Sequence, residues 1–189
     1  MKEKTKKVYS KIAFIIFGIF LQFMFSSMYE NYKNIEVIKK QYKKDQISKI
    51  DKQLNEFYIP LKIKLDKSKR LFMNYKKKYS NDDLFVDIKN AKERLEWQRY
   101  VLAAFQPIHT EISLILSNKR QLMDKNNKLE NQLNLLEQHI VYYKVIFIRW
   151  KDNDVSKNFS PTKFPKYLAS HLKNEIIRLK AEKNKLLSE

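Results

Sequence analysis

Chemistry in this sequence would rest first on three histidines, His109, His139 and His171. His109 stands two residues before Glu111 and just after Pro107, and His139 precedes Ile140 in a segment expected to return alongside the first. Imidazoles and carboxylates on facing helices are the donors from which helix bundles build metal centres. His109, Glu111 and His139 are therefore the candidate metal ligands. Their spacing is unspecific. No His has a second His four residues on, and none follows a Glu by three, so the zinc-protease and di-iron helix signatures are absent. Buried histidines bonded to a carboxylate or a backbone carbonyl would produce the same pattern. Glu93 and Glu96, three residues apart, read as surface charges, and no pairing singles out one Ser, Lys or Tyr as a nucleophile.

Composition removes most other catalytic classes. The single glycine, Gly18, leaves no phosphate-binding loop, dinucleotide fingerprint or nucleophile elbow. The absence of Cys removes disulfides, zinc fingers, iron–sulfur ligation and thiol nucleophiles. No cofactor and no catalytic residue is expected, and the chain reads as a non-enzyme. So few turn residues also argue against a sandwich or barrel and for long helices.

Those helices are visible in the spacing of apolar residues. Ile35, Ile38, Tyr42, Ile50, Leu54 and Phe57 fall at three and four, up to an interruption at Pro60. Leu61, Leu65, Phe72, Tyr75 and Tyr79 line a second helix, and Ser80 to Asp83 form a turn and N-cap. Leu84, Ile88, Ala91, Leu95, Gln98, Leu102 and Phe105 make a heptad stripe, ended or kinked at Pro107. Ile108, Ile112, Ile115, Leu116 and Leu122 carry an apolar face beyond it. Leu129, Leu133, Leu136, Ile140, Tyr143 and Phe147 repeat the heptad, the polar stretch 151–162 is a loop, and Phe164 and Pro165 open a last helix bearing Leu168, Leu172, Ile176, Leu179 and Leu186. An antiparallel helical bundle follows, favoured over a pure coiled coil by the prolines and the 13% aromatic content.

Ahead of the bundle, residues 12–29 contain no charge. As a helix they would span roughly 27 Å, close to the hydrocarbon thickness of a bilayer. Tyr9, Tyr29 and Tyr32 stand at interfacial positions. A cleaved signal peptide is the competing reading, but Met24 to Tyr29 offers no small-residue cleavage site. The expected all-α organisation is thus a basic tail (1–11), a single transmembrane helix (12–29), a membrane-proximal helix continuing from it (30–58) and a helical bundle (59–189). Lysines flank the anchor almost equally on both sides. A short tail with five Lys crosses poorly, so the lean is toward an extracytoplasmic bundle on the cell (inner) membrane.

The net charge of +18 is uneven: residues 33–78 hold 15 Lys or Arg against 5 Asp or Glu. Lys33, Lys39, Lys40, Lys43 and Lys44 are candidates for contact with anionic headgroups, each attracted by about 1 kcal/mol near the surface. Nucleic acid is the weaker partner, because 33 of the 39 basic residues are Lys, whereas base readout favours Arg. A merely solvated charged face accounts for the same residues.

Four segments carry a resemblance. Residues 54–61 (LNEFYIPL), Pro107-Ile108-His109-Thr110-Glu111-Ile112, the stretch from His139 to Ile146, and Phe164-Pro165-Lys166-Tyr167-Leu168 with His171 resemble, in order, motifs of a family of uncharacterised bacterial helical proteins. Many of its members have an N-terminal membrane anchor. The likeness spans roughly residues 54 to 175, with Ile108 replacing the family's polar residue. It implies a helical fold and an anchor and no known activity, and it draws attention to His109 and His139. The expected function is a membrane-anchored interaction or scaffold module docking a protein partner or another copy of itself. A spanin-like envelope or lysis accessory is the alternative, and a metal enzyme with its site in the bundle is the third reading.

Overall fold

The sequence places breaks at Pro60 and Pro107, yet helix runs through both. The computed structural model describes the backbone of residues 2–79, 91–156 and 158–188, and their side chains except those of residues 2–16, 19, 79 and 127. Helix α1 (Lys2–Lys52) passes through a π-helical turn (Gln53–Tyr58) directly into α2 (Ile59–Tyr79). Helix α3 (Ala91–Tyr100) passes through a second π-turn (Val101–Phe105) into α4 (Gln106–Lys119), which tightens into a 3-10 turn (Arg120–Leu122). Helix α5 (Asn127–Lys151) and helix α6 (Leu168–Ser188) complete the chain. No strand occurs among the described residues, so the expected all-α class holds.

The two π-turns explain why proline does not break these helices. A proline lacks an N–H, and its ring strikes the carbonyl four residues back. In both places the residue before it reaches five back instead: Ile59 N–H bonds to Leu54 O, and Gln106 N–H to Val101 O. Each π-turn ends two residues before its proline. One extra residue widens the turn where the ring would otherwise collide.

That insertion also rotates α3. The heptad stripe expected from Leu84 to Phe105 assumes a uniform α-helix, but Leu95 and Leu102 are 47% and 39% exposed. The buried side chains are Trp97, Val101, Phe105, Ile108, His109, Ile112 and Leu116, spaced by four across the π-turn, with the adjacent Ile108 and His109 both buried beyond it. Leu84, Ile88 and the turn at Ser80 to Asp83 lie outside the described residues. Other expected stripes hold better. Leu129, Leu133, Leu136, Ile140, Tyr143 and Phe147 are all buried, as are Leu168, Leu172 and Leu179. Phe164 and Pro165 do not open the last helix: a turn at Lys166 and Tyr167 follows them, and α6 begins at Leu168.

The chain forms two compact units, Met1–Ser48 and Lys49–Glu189. In the second, paired residues show the expected antiparallel order. Glu56 with Lys119 and Lys64 with Glu111 run α2 against α4. Arg120 with Glu130 and Glu137 returns α5 along α4, and Asn126 with Glu175 returns α6 along α5. Asp51 with Lys183 closes the bundle. The turn into α5 is capped by Asn126, whose side chain accepts from Leu129 N–H at 3.1 Å.

Two buried clusters fill the bundle. One is aliphatic, built from Ile50, Leu54, Leu61, Leu65, Ile108, Ile112, Leu116, Ile140 and the buried leucines of α5 and α6 around Phe57 and Tyr58. The other is aromatic: Tyr75, Trp97, Val101, Phe105, Tyr143, Ile146 and Phe147. In the first unit, Phe17, Phe20, Phe23, Phe25 and Met28 stand exposed on α1, as do Ile35, Ile38 and Tyr42, whose spacing predicts the continuous helix that α1 forms there. Among the described residues no helix is long and apolar enough to cross a membrane. The anchor expected at 12–29 lies partly outside them, since the side chains of residues 12–16 and 19 are not described.

Candidate functional site

The aromatic cluster positions the histidines. On α4, His109 follows Phe105 by one turn, ring centroids 6.2 Å apart. On α5, Tyr143 follows His139 by one turn, at 5.0 Å. The antiparallel pairing of the two helices brings the rings together, with His109 6.0 Å from His139 and 5.6 Å from Tyr143.

A strap, residues 152–167, closes this face. It leaves α5 through Asn153, whose φ of 61° is left-handed. Asp154 N–H bonds to Arg149 O and Asn153 N–H to Trp150 O, satisfying the last helical carbonyls; Asn takes the place usually held by Gly. Trp97 Nε1 then donates to Asn158 O at 3.0 Å, with the Phe159 ring 5.4 Å from the indole. His139 Nδ1 meets Thr162 O at 2.7 Å. A carbonyl can only accept, so the proton is assigned to Nδ1 and the lone pair to Nε2. Phe164 packs edge-on to His139 at 5.5 Å, and Pro165 next in sequence is buried.

Burial sets the electrostatics here. His109 is 5% exposed, and its pKa is pushed down to about 4 by burial, with His139 and Lys144 adding to the effect. Its Nδ1 is buried without a hydrogen-bond partner. Burial lowers His139 as well, against the opposing Thr162 bond. Tyr143 is pushed up to about 12 by burial, the Ser160 backbone beside it opposing. All three are thus neutral at pH 7.

Of the three metal-ligand candidates, the structure joins two. His109 and His139 meet, while Glu111 bonds to Lys64 on α2, which holds its carboxyl below the usual range. No set of three or more His, Asp or Glu side chains that could hold a metal ion occurs among the described residues. The three-ligand arrangement therefore does not form. Lys33, Lys39, Lys40, Lys43 and Lys44 all lie on α1 in the first unit, Lys40 paired with Glu36 at 2.8 Å.

Sequence reasoning missed Trp97 and Thr162 as holders of the strap. The i, i+4 pairs Phe105/His109 and His139/Tyr143 were available as a signal, since such residues share a helix face. It also missed a polar knot at the other end of the bundle. Gln53, 1% exposed within the first π-turn, donates to Leu122 O at 2.8 Å and to Asp124 Oδ1 at 3.0 Å. Asp124 also pairs with Lys49 and Arg178. Burial opposes its ionisation, but the bonds from Arg178, Gln53 and Lys49 outweigh that and keep its pKa low. The chain matches no protein-family model, no curated protein and no solved structure.

Proposed function

We propose that the chain is a single-pass, membrane-anchored helical module that docks a protein partner or a second copy of itself. The observation that carries this reading is the uncharged stretch 12–29 inside α1, whose phenylalanines and methionines from Phe17 to Met28 are exposed. An apolar run of that length is costly to leave in water and favourable in hydrocarbon. Tyr29 and Tyr32 follow it, and Lys33, Lys39, Lys40, Lys43 and Lys44 come next, in the order of an interface and then anionic headgroups. The absence of a three-ligand cluster among the described residues gives the metal-enzyme reading no support from geometry. The resemblance to anchored bacterial helical proteins is in keeping with this role, and the bundle is placed on the extracytoplasmic side of the cell membrane.

The test is fractionation of cells expressing the full chain, with alkaline extraction of the membranes and a compartment-sensitive reporter after Glu189. The chain is expected in the extracted membrane pellet, and lost from it when Phe20 and Phe23 are replaced by Lys. Recovery of the unaltered chain in the soluble fraction would overturn the anchor, and reporter activity only in the cytoplasm would overturn the placement of the bundle.

A further inference from the structure

We propose that His109 and His139 form a two-coordinate site for a monovalent soft metal ion of the copper(I) or silver(I) class. This goes beyond the docking role and does not depend on the anchor. Imidazole nitrogen is a good ligand for copper and its neighbours. Two neutral rings on facing helices stand with centroids 6.0 Å apart. An ion about 2 Å from one nitrogen of each ring would hold them roughly that far apart in a near-linear arrangement. The supply of lone pairs fits. Thr162 O engages His139 Nδ1 and leaves Nε2 to coordinate, the same outer hydrogen bond that orients metal-bound histidines elsewhere. His109 brings a buried Nδ1 with no partner, a group that costs free energy unless something fills its lone pair or accepts its proton.

The charge and number of donors select the class of ion. Zinc demands four ligands, commonly including anionic ones, but Glu111 is committed to Lys64, and rings of Phe105, Tyr143 and Phe164 surround the pair. The pair brings two neutral nitrogen donors and no anionic one, so a monovalent ion content with two nitrogens fits, whereas a divalent ion seeking four does not.

The experiment titrates the purified full chain in detergent with silver(I), a redox-inert stand-in for copper(I), and separately with zinc(II). One silver ion per chain is expected, bound at least tenfold more weakly by His109→Phe and by His139→Phe, and unchanged by His171→Ala. Absorption spectroscopy at the metal edge of the unaltered protein should show two nitrogen neighbours, a readout that holds even if a variant fails to fold. Saturable binding that survives both substitutions, zinc binding of equal strength, or no binding at all, with the rings sharing only a water, would each overturn the site.

Discussion

The aliphatic and aromatic clusters lie in one bundle but hold it differently. In the aliphatic cluster, Leu129, Leu133, Leu136, Leu168 and Leu172 come from helices whose stripes are regular, and they pack with little help from hydrogen bonds. In the aromatic cluster the rings carry polar edges, and each edge needs a partner: Trp97 finds Asn158 O, His139 finds Thr162 O, Tyr100 finds Leu71 O at 2.9 Å. Two of those partners belong to a loop. The first cluster therefore fixes the bundle as a whole, and the second fixes what the bundle wears on its surface. Apolar burial is non-directional and tolerates any close packing, whereas an indole N–H or an imidazole specifies one acceptor in one place.

The largest effect expected from breaking this division is at Leu133, which is fully buried. Leu133→Ala should cost about 2–5 kcal/mol, read as a lowered midpoint in chemical denaturation by every probe at once. Next comes pH. The folded pKa of His109 is about 4, below its ordinary value near 6.5. The unfolded chain therefore takes up the proton first, and stability is lost as pH falls from about 6.5 through 4. The gap corresponds to roughly 3 kcal/mol. His109→Phe should flatten that stretch of the stability–pH curve, whereas Leu133→Ala should shift the curve without changing its slope there.

Smaller effects sharpen the contrast. Trp97→Phe keeps an aromatic ring and removes the bond to Asn158 O, at a cost of about 1–2 kcal/mol. Its signature should be local, with faster amide exchange in residues 152–167 before any change in global melting. Asn126→Ala removes the cap of α5 and its bond to Glu175, costing about 1 kcal/mol. That change should lower the melting temperature while leaving exchange in the strap unaltered.

How much of this could be read from the sequence differs between the clusters for the same physical reason. Helix α5 was legible almost residue by residue, because an uninterrupted α-helix makes buried positions recur at three and four. On α3 and the π-turn that follows it the same arithmetic selected Leu95 and Leu102, which are exposed, because a π-turn inserts a residue that no apolar pattern announces. Pro60 and Pro107 marked where something had to give, but not that a widened turn would absorb it. His109 and His139 stood out by residue type, and their meeting required only antiparallel neighbours. Glu111 failed as their companion because Lys64, far away in sequence, competes for it. The strap was recognisable as a loop up to Thr162, but not at Phe164 and Pro165, which the sequence reading assigned to the last helix, and its attachment points are backbone carbonyls, which every residue has and no sequence distinguishes.

The two π-turns have a consequence for insertions and deletions. Each is a one-residue surplus retained beside a proline, so surplus and proline should be dispensable together and not separately. Removing Ala103, which is exposed, should drive the tightened turn against Pro107 and destabilise the bundle. Removing Ala103 together with Pro107→Ala should return the melting temperature toward that of the parent, with Trp97 still facing inward. Chains one residue shorter at this point are then expected to lack the proline, so that length and proline vary as a single character.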